Sequence, residues 1–449
     1  MGISKGQSIG LSSLCVVLAS ALPLGSNRPL FWLLLSSVVF ALFAIQLVRD
    51  LREGLDPIAR KALLPLSIFA IVLGWACIQA WLPVDGYRGH PVWSVMPSSA
   101  SIRISADPIA TQHHVVRLAC YAMVFWIALR ASRIGNFSEM ALRIVAVFVS
   151  LLSAYGILSV VYGSNPILGD YASNSVSGTF VNRNNFASFA VIGLLANVTV
   201  YTRSSNSGLS DPERRLRDFL EGFFSGNWVF AIGILICLAA IFFSESRAGF
   251  VAALVGMVIF SATSREKNAG SKYAAILVGL IVALALLAFS SGTFTRIFAA
   301  GGEDARFLIY PLVLDGILDR PLLGHGLGAF HDAFRSYVSP ELSFREIDLA
   351  HSSYLENFFE LGVPAGSAFF LVLAIIVVGT YKGVKRRRRN QRFSRFAFAA
   401  AMAVGFHAFF DFSLQIPAIA ALFAYVLGIG WGQSFREEDL REQTSPEVR

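Results

Sequence analysis

Twelve apolar runs, most of them near twenty residues long, constrain this chain more than any motif in it. They lie at roughly 9–25, 29–48, 63–82, 114–132, 140–162, 185–202, 227–244, 248–264, 272–291, 355–381, 396–412 and 415–434. A hydrocarbon core of ~30 Å takes about 20 helical residues per crossing, and strands of a membrane barrel are about half that length. Lipid offers no partner to backbone N–H and C=O groups, so a run of this kind must close its hydrogen bonds within itself. The sequence therefore predicts an all-α integral membrane protein with about 12 transmembrane helices in one polytopic domain spanning 1–449. Composition agrees, with 55% of residues hydrophobic and only 15% charged, against about 25% charged in soluble domains. The first run is short and follows Lys5, as in a signal peptide. It reads as a retained helix, because no small-residue cleavage site followed by a soluble domain succeeds it.

Basic residues set the expected orientation, because cytoplasmic loops collect Lys and Arg. With alternate loops grouped, one side holds 26 of the 37 Lys and Arg residues and the other holds 10, with Arg117 assigned to neither. Both termini are thus expected in the cytoplasm. The longest loops, about 83–113, 163–184 and 292–353, then face the periplasm, the last carrying amphipathic helices. The net charge of +8 follows from this loop distribution. No basic stripe interleaved with aromatics points to nucleic acid, and the basic stretch 382–395 reads as an orientation signal. Cys15, Cys77, Cys120 and Cys237 all sit in apolar runs, which excludes a disulfide framework and gives no metal-ligand spacing.

Polar residues at the boundary of an apolar run are costly unless they are used. Five segments on the predicted periplasmic side carry them. In GTFVNRNNFASF (178–189), Asn182 or Asn185 reads as a helix cap, while Arg183 opposes the helix dipole unless an anion joins it. SESRAGF (244–250) links two runs with almost no loop, so Glu245 and Arg247 sit at the boundary as an ion pair or as an anion site. The segment 301–330 approximates a helical stripe through Phe307, Leu308, Leu312, Val313, Ile317 and Leu318, with Pro311 starting or kinking it. It also carries Arg306, Arg320 and His325. Glu303 and Asp304 read as a helix cap more readily than as metal ligands. LAHSSYLENFFELGVPAG (349–366) places His351 and Ser352 before a run, with Glu356 beyond them. Taken alone, His351 reads as an interfacial histidine flanking a helix. Asp411, near the end of the eleventh run, reads as an ion-pair partner.

In their order and spacing, GTFVNRNNFA, SRAG, ARFLIYPLVLDGILDRPLLGHGLGAF, HSSYLENFFELG and DFSLQIPA resemble the O-antigen ligase and polymerase superfamily of bacterial membrane glycosyltransferases. The resemblance covers a core of about 178–432. It implies an inner-membrane enzyme, working at the periplasmic face without metal or cofactor. Its donor would be a glycan on undecaprenyl pyrophosphate, and its acceptor lipid A-core in a ligase or another lipid-linked glycan in a polymerase. His351 matches the family histidine, implying a general base, and Arg247 and Arg306 match its functional arginines. Arg183 joins them from the residue pattern as a pyrophosphate ligand. In the ligase histidine motif His351, Ser352 and Gly362 fit, but Ala365 stands where Gly, Thr or Tyr is usual, so the choice between ligase and polymerase stays open. A transporter of lipid-linked sugars would use the same arginines without a base.

Overall fold

The computed structural model describes residues 4–85, 88–95, 101–169, 174–204, 228–264, 305–338, 347–386 and 391–435, and its regular elements there are helical. In chain order they are α1 Lys5–Ala19, α2 Pro29–Glu53, α3 Pro57–Trp81, α4 Pro108–Ser132, α5 Phe137–Val161, α6 Arg183–Ser204 and α7 Trp228–Phe243. There follow α8 Arg247–Ala262, α9 Ala305–Asp319, α10 Phe330–Phe334, α11 Ser353–Arg386, α12 Gln391–His407 and α13 Pro417–Gly432. Six of them (α2 to α6 and α11) are long and apolar enough to cross a membrane, and α1, α7, α8 and α13 are shorter apolar helices. The chain is a multi-pass membrane protein. The run predicted at 272–291 lies outside the described residues, as do Glu303 and Asp304.

Local chemistry sets the helix starts. Ser4 and Gln7 exchange side-chain and backbone hydrogen bonds at the head of α1, a capping box that satisfies two orphan donors. Asp56 and Asp107 cap α3 and α4, each followed by proline at the first helical position, where the missing N–H costs nothing. The eleventh run was expected to continue to about 412, but α12 ends at His407. Phe409 and Phe410 lengthen the apolar run without lengthening the helix. They sit exposed in the turn that follows, Phe409 stacked on Tyr354 with ring centroids 4.2 Å apart.

Two helices form the interior. In α6 89% of the most apolar stretch is buried, against 28% in α2 and α3, which present their side chains outward to lipid. In α13 nearly every residue is buried. Small residues let it approach its neighbours, since a Cβ at Gly428 would meet backbone of α4 and one at Gly430 would meet Ala397 of α12. Close backbone approach of this kind is what packs helices where lipid removes the hydrophobic drive. At the end opposite His351, Arg130 of α4 ties Asp50 (2.8 Å) and Asp56 (2.6 Å), and the Trp126 indole N–H donates to Asp50 at 2.8 Å. That cluster fixes the α2–α3 corner against α4.

At the other end α9 lies across the N-terminal part of α11. The face it buries runs through Ile309, Val313, Gly316 and Ile317, spaced i, i+4, i+7 and i+8 as a helix requires. The stripe read from sequence included Leu308 and Leu318, which instead are exposed. With Leu314 they form a second apolar face about a third of the circumference wide, suited to the membrane interface.

Candidate active site

The segment that carries His351 is a tight turn pinned from several directions. His351 has a left-handed backbone (φ 54°), which a non-glycine residue adopts at a cost of roughly 1–2 kcal/mol. Its carbonyl accepts from the Tyr310 hydroxyl of α9 at 3.1 Å, and its ring meets the edge of Phe412 at 5.2 Å. On its N-terminal side, buried Glu356 accepts from the Ala350 N–H at 2.9 Å, and its second oxygen takes the Gln415 amide. On its C-terminal side, Ser353 donates through its backbone to Ala408 O (2.9 Å) and through its hydroxyl to Asp411 O (3.1 Å). Ser352 is buried within the same turn.

Beneath this turn lies a buried polar junction. The Ser413 hydroxyl donates to Asp411 Oδ2 at 2.6 Å, with the Asn185 side-chain amide 3.2 Å away. His407 Nδ1 lies 3.4 Å from that hydroxyl and hydrogen-bonds the Ser188 hydroxyl. Asn185 and Ser188 stand in the first two turns of α6, so the junction ties the head of α6 to the His351 turn. Asn182 caps that head, its side chain accepting from the Asn184 N–H at 2.8 Å. Arg183 pairs with Glu245 at 2.9 Å across to the α7–α8 turn. Both side chains are more than a third exposed, so the pair contributes at most about 1 kcal/mol and is readily exchanged for an incoming anion. Arg247 opens α8 and is exposed, behind the Ser246 cap that accepts from Gly249 N–H at 3.1 Å. Three helix N-termini therefore converge at one end of the bundle, an arrangement that favours negative charge. Arg306 belongs to the first turn of α9 by its backbone; its side chain lies outside the described residues.

Arg320 and His325 sit in a neighbouring lock. Arg320 donates to the carbonyls of Gly324, Gly89 and Arg88, each at 2.9 Å. Its fork is thus committed to joining two loops. The His325 ring stacks on Phe359 (4.0 Å between centroids) and its Nε2 lies 2.9 Å from Gly316 O, so Nε2 is the donor. Its Nδ1 then accepts from His90 Nε2–H at 2.9 Å, while His90 Nδ1 accepts from the Val92 N–H at 3.2 Å. Both rings are neutral in this chain of donors. Burial first, then the proximity of the other histidine and of the Arg320 charge, push His90 down to about 3 from an ordinary 6.5. Burial is also the first cause at His325, held at about 4, with Arg320 adding to it against the opposing Gly316 carbonyl and Asp319.

A pH dependence follows with a definite sign. Between the ordinary and the folded values the unfolded chain binds more protons, so stability is full above about pH 6.5 and falls as pH drops toward 4. The slope is up to about 1.4 kcal/mol per pH unit per histidine. Comparing thermal unfolding of wild type and His90→Gln/His325→Gln between pH 7 and 4 should show the shallower dependence in the variant. Equal slopes would remove the neutral pair as the cause.

Residues 232–370 match the family model described as O-antigen ligase. Over those residues the chain is similar to the O-antigen ligase family, which supports a relationship to the O-antigen ligase and polymerase superfamily. No curated protein matches it in a sequence comparison. The superfamily is a glycosyltransferase-like group of ligases and polymerases acting in a membrane context on lipid-linked glycans.

The structure brings His351, Ser352, Asn185 and Asp411 into one junction, with Asn182, Arg183 and Glu245 at its edge. It adds Ser188, His407, Ser413, Gln415 and Tyr310, which the sequence reading passed over. A signal for His407 was present. It is one of 7 histidines, four residues before Asp411 in an otherwise apolar stretch, where polar groups are expensive. The serines and Tyr310 carried no comparable signal. Among the described residues no cluster of His, Cys, Asp and Glu has the makings of a metal site.

Proposed function

We propose that the protein transfers a glycan from undecaprenyl pyrophosphate to an acceptor hydroxyl at the periplasmic face of the bacterial inner membrane. The acceptor in the first instance is the lipid A-core sugar of a ligase. In this reading His351 removes the proton of the acceptor hydroxyl, whose oxygen bonds to the anomeric carbon of the donor sugar. The anomeric C–O bond to pyrophosphate breaks, and the lipid pyrophosphate leaves with the bonding electrons. Arg183, Arg247 and Arg306 hold its oxygens. Charge-assisted bonds from a planar fork suit that group, and they strengthen where water is scarce.

The observation that carries the proposal is the His351 turn: a base held in left-handed backbone by Tyr310, Glu356 and Ser353, bonded through Ser413 to the head of α6 that bears Arg183. Pyrophosphate is already a good leaving group, so positioning and charge neutralisation carry most of the rate.

The test is transfer by purified, membrane-reconstituted protein supplied with undecaprenyl-pyrophosphate-linked glycan and either lipid A-core or a second lipid-linked glycan. Product on lipid A-core is expected. Product only on the lipid-linked acceptor would make the protein a polymerase of the same superfamily. No turnover with either, from folded protein, would overturn the transferase reading in favour of transport.

A further inference from the structure

A cavity of about 440 Å³ lies between α4, α11 and α12. Its wall is largely apolar, through Leu118, Phe370, Leu373, Val377 and Phe423, and its rim includes Ser353, two residues from His351. Neither Arg183 nor Arg247 lines it. Instead α4 brings Arg117 and Tyr121, four residues apart on one helical face, to the cavity.

Both residues are chemically unfinished. Arg117 Nε and the Tyr121 hydroxyl are buried without a hydrogen-bond partner among the described residues, as is the indole N–H of Trp32. The Trp32 ring covers one face of the guanidinium, with Cζ 4.7 Å from the ring centroid. Trp32 stands in the first turn of α2, which sets the guanidinium toward the same end of the bundle as His351. The other charged groups at the cavity are already engaged. Glu360 accepts from the Phe330 N–H at 3.3 Å, and His114 donates through Nδ1 to Ala110 O at 3.0 Å.

A buried, unpartnered guanidinium N–H beside an orphaned hydroxyl and indole N–H is unfavourable unless an acceptor-rich group completes it, and the positive charge favours an anionic one. Phosphate oxygens meet both requirements, and the apolar wall calls for a hydrocarbon chain on the same molecule. We infer that this cavity is a lipid-phosphate site. Arg117 and Tyr121 bind the phosphate of an isoprenoid-phosphate lipid whose chain lies along the wall, apart from the arginines on α6 and α8. The inference rests on the transferase reading only for the isoprenoid nature of the lipid. A second such site suits the polymerase alternative, in which donor and acceptor are both isoprenoid-linked.

The experiment is calorimetric titration of the detergent-purified full chain with geranylgeranyl pyrophosphate. An Arg183→Gln/Arg247→Gln/Arg306→Gln background removes binding at the three arginines of the proposed donor site. Saturable binding is expected, weakened at least tenfold by Arg117→Gln and a few-fold by Tyr121→Phe. Ala374→Phe, which leaves every charge in place and narrows the apolar end, should weaken it as well. Unchanged affinity in folded Arg117→Gln protein would overturn the inference. So would inorganic pyrophosphate binding as tightly as the lipid, which would mean a free-anion site. Equal competition by phosphatidylglycerol would also overturn it, making this a bulk-lipid site. Because the readout is binding, its failure is separable from that of the transferase reading: wild-type transfer with none of these losses sinks the site alone. The losses without any transfer sink the reading alone.

Discussion

Replacing His351 by asparagine should reduce glycan transfer by about 10²–10⁴-fold, the contribution of a positioned general base, while leaving the protein folded and inserted. Asparagine is the informative substitution because of the backbone. His351 sits at φ 54°, a region that Asn enters several-fold more readily than most residues. His351→Ala removes the base but also disfavours the turn, so its activity loss mixes chemistry with geometry. His351→Asn keeps the turn, the Tyr310 bond to the residue 351 carbonyl and the Ser353 bonds, and removes only the imidazole. Rate is measured with lipid-linked donor and the productive acceptor, alongside thermal unfolding of the same preparation. Near-wild-type turnover in folded His351→Asn protein would leave arginine clamping and proximity as the whole of catalysis. Tyr310→Phe offers the complementary view. It should lower the rate by a smaller factor, since Glu356 and Ser353 still hold the turn.

How much of this was legible beforehand depends on which physical signal each feature leaves. The apolar runs found the helices because lipid requires long uninterrupted apolarity, and eleven of the twelve runs coincide with α1 to α8 and α11 to α13. Ends were less legible. Phe409 and Phe410 continue the apolar run but not the helix, because hydropathy cannot distinguish a spanning residue from one exposed at its mouth. The loop helix was anticipated near its place, yet its stripe was mixed, since α9 is apolar on two faces and sequence alone does not say which face meets protein. Arg320 stood out as a cation at a boundary, but its three carbonyl partners lie on two loops brought together only in the fold. Arg117 fitted neither side of the charge pattern for a physical reason: it serves a cavity, and a topology count has no place for it. The break in α11 was invisible for a similar reason, because Pro364 marks a lost N–H without saying which groups replace it.

Those replacements make Gly362 a sensitive backbone position, and Gly362→Ala should destabilise the protein by several kcal/mol. Pro364 cannot donate to Glu360 O four residues earlier, and α11 breaks at Gly362 with φ 76°, ψ 165°. The freed carbonyls are satisfied from elsewhere, as membrane burial demands. His325 N–H donates to Phe359 O at 3.0 Å and Gly326 N–H to Glu360 O at 2.9 Å. The Gln79 amide also reaches Glu360 O at 3.0 Å, and the Trp75 indole reaches Leu361 O at 3.0 Å. Alanine at 362 meets two separate penalties. Its φ/ψ region is essentially restricted to glycine, a strain of roughly 1–3 kcal/mol. Its Cβ would lie 2.7 Å from Leu322 O, forcing apart the strands of chain that make those bonds. Gly54 separates the two effects. Its backbone is nearly the same, φ 78° and ψ 169°, but nothing lies within 4 Å of a Cβ there. Gly54→Ala should therefore show the strain alone, and Gly362→Ala the strain plus the overlap, with the larger fall in unfolding temperature. Gly362→Ala should also raise hydrogen exchange at His325 and Gly326, where Gly54→Ala should leave it unchanged. Equal destabilisation by the two substitutions would mean that the 321–326 segment yields to the added methyl, and that the broken helix is held by backbone preference rather than by its close contact with that loop.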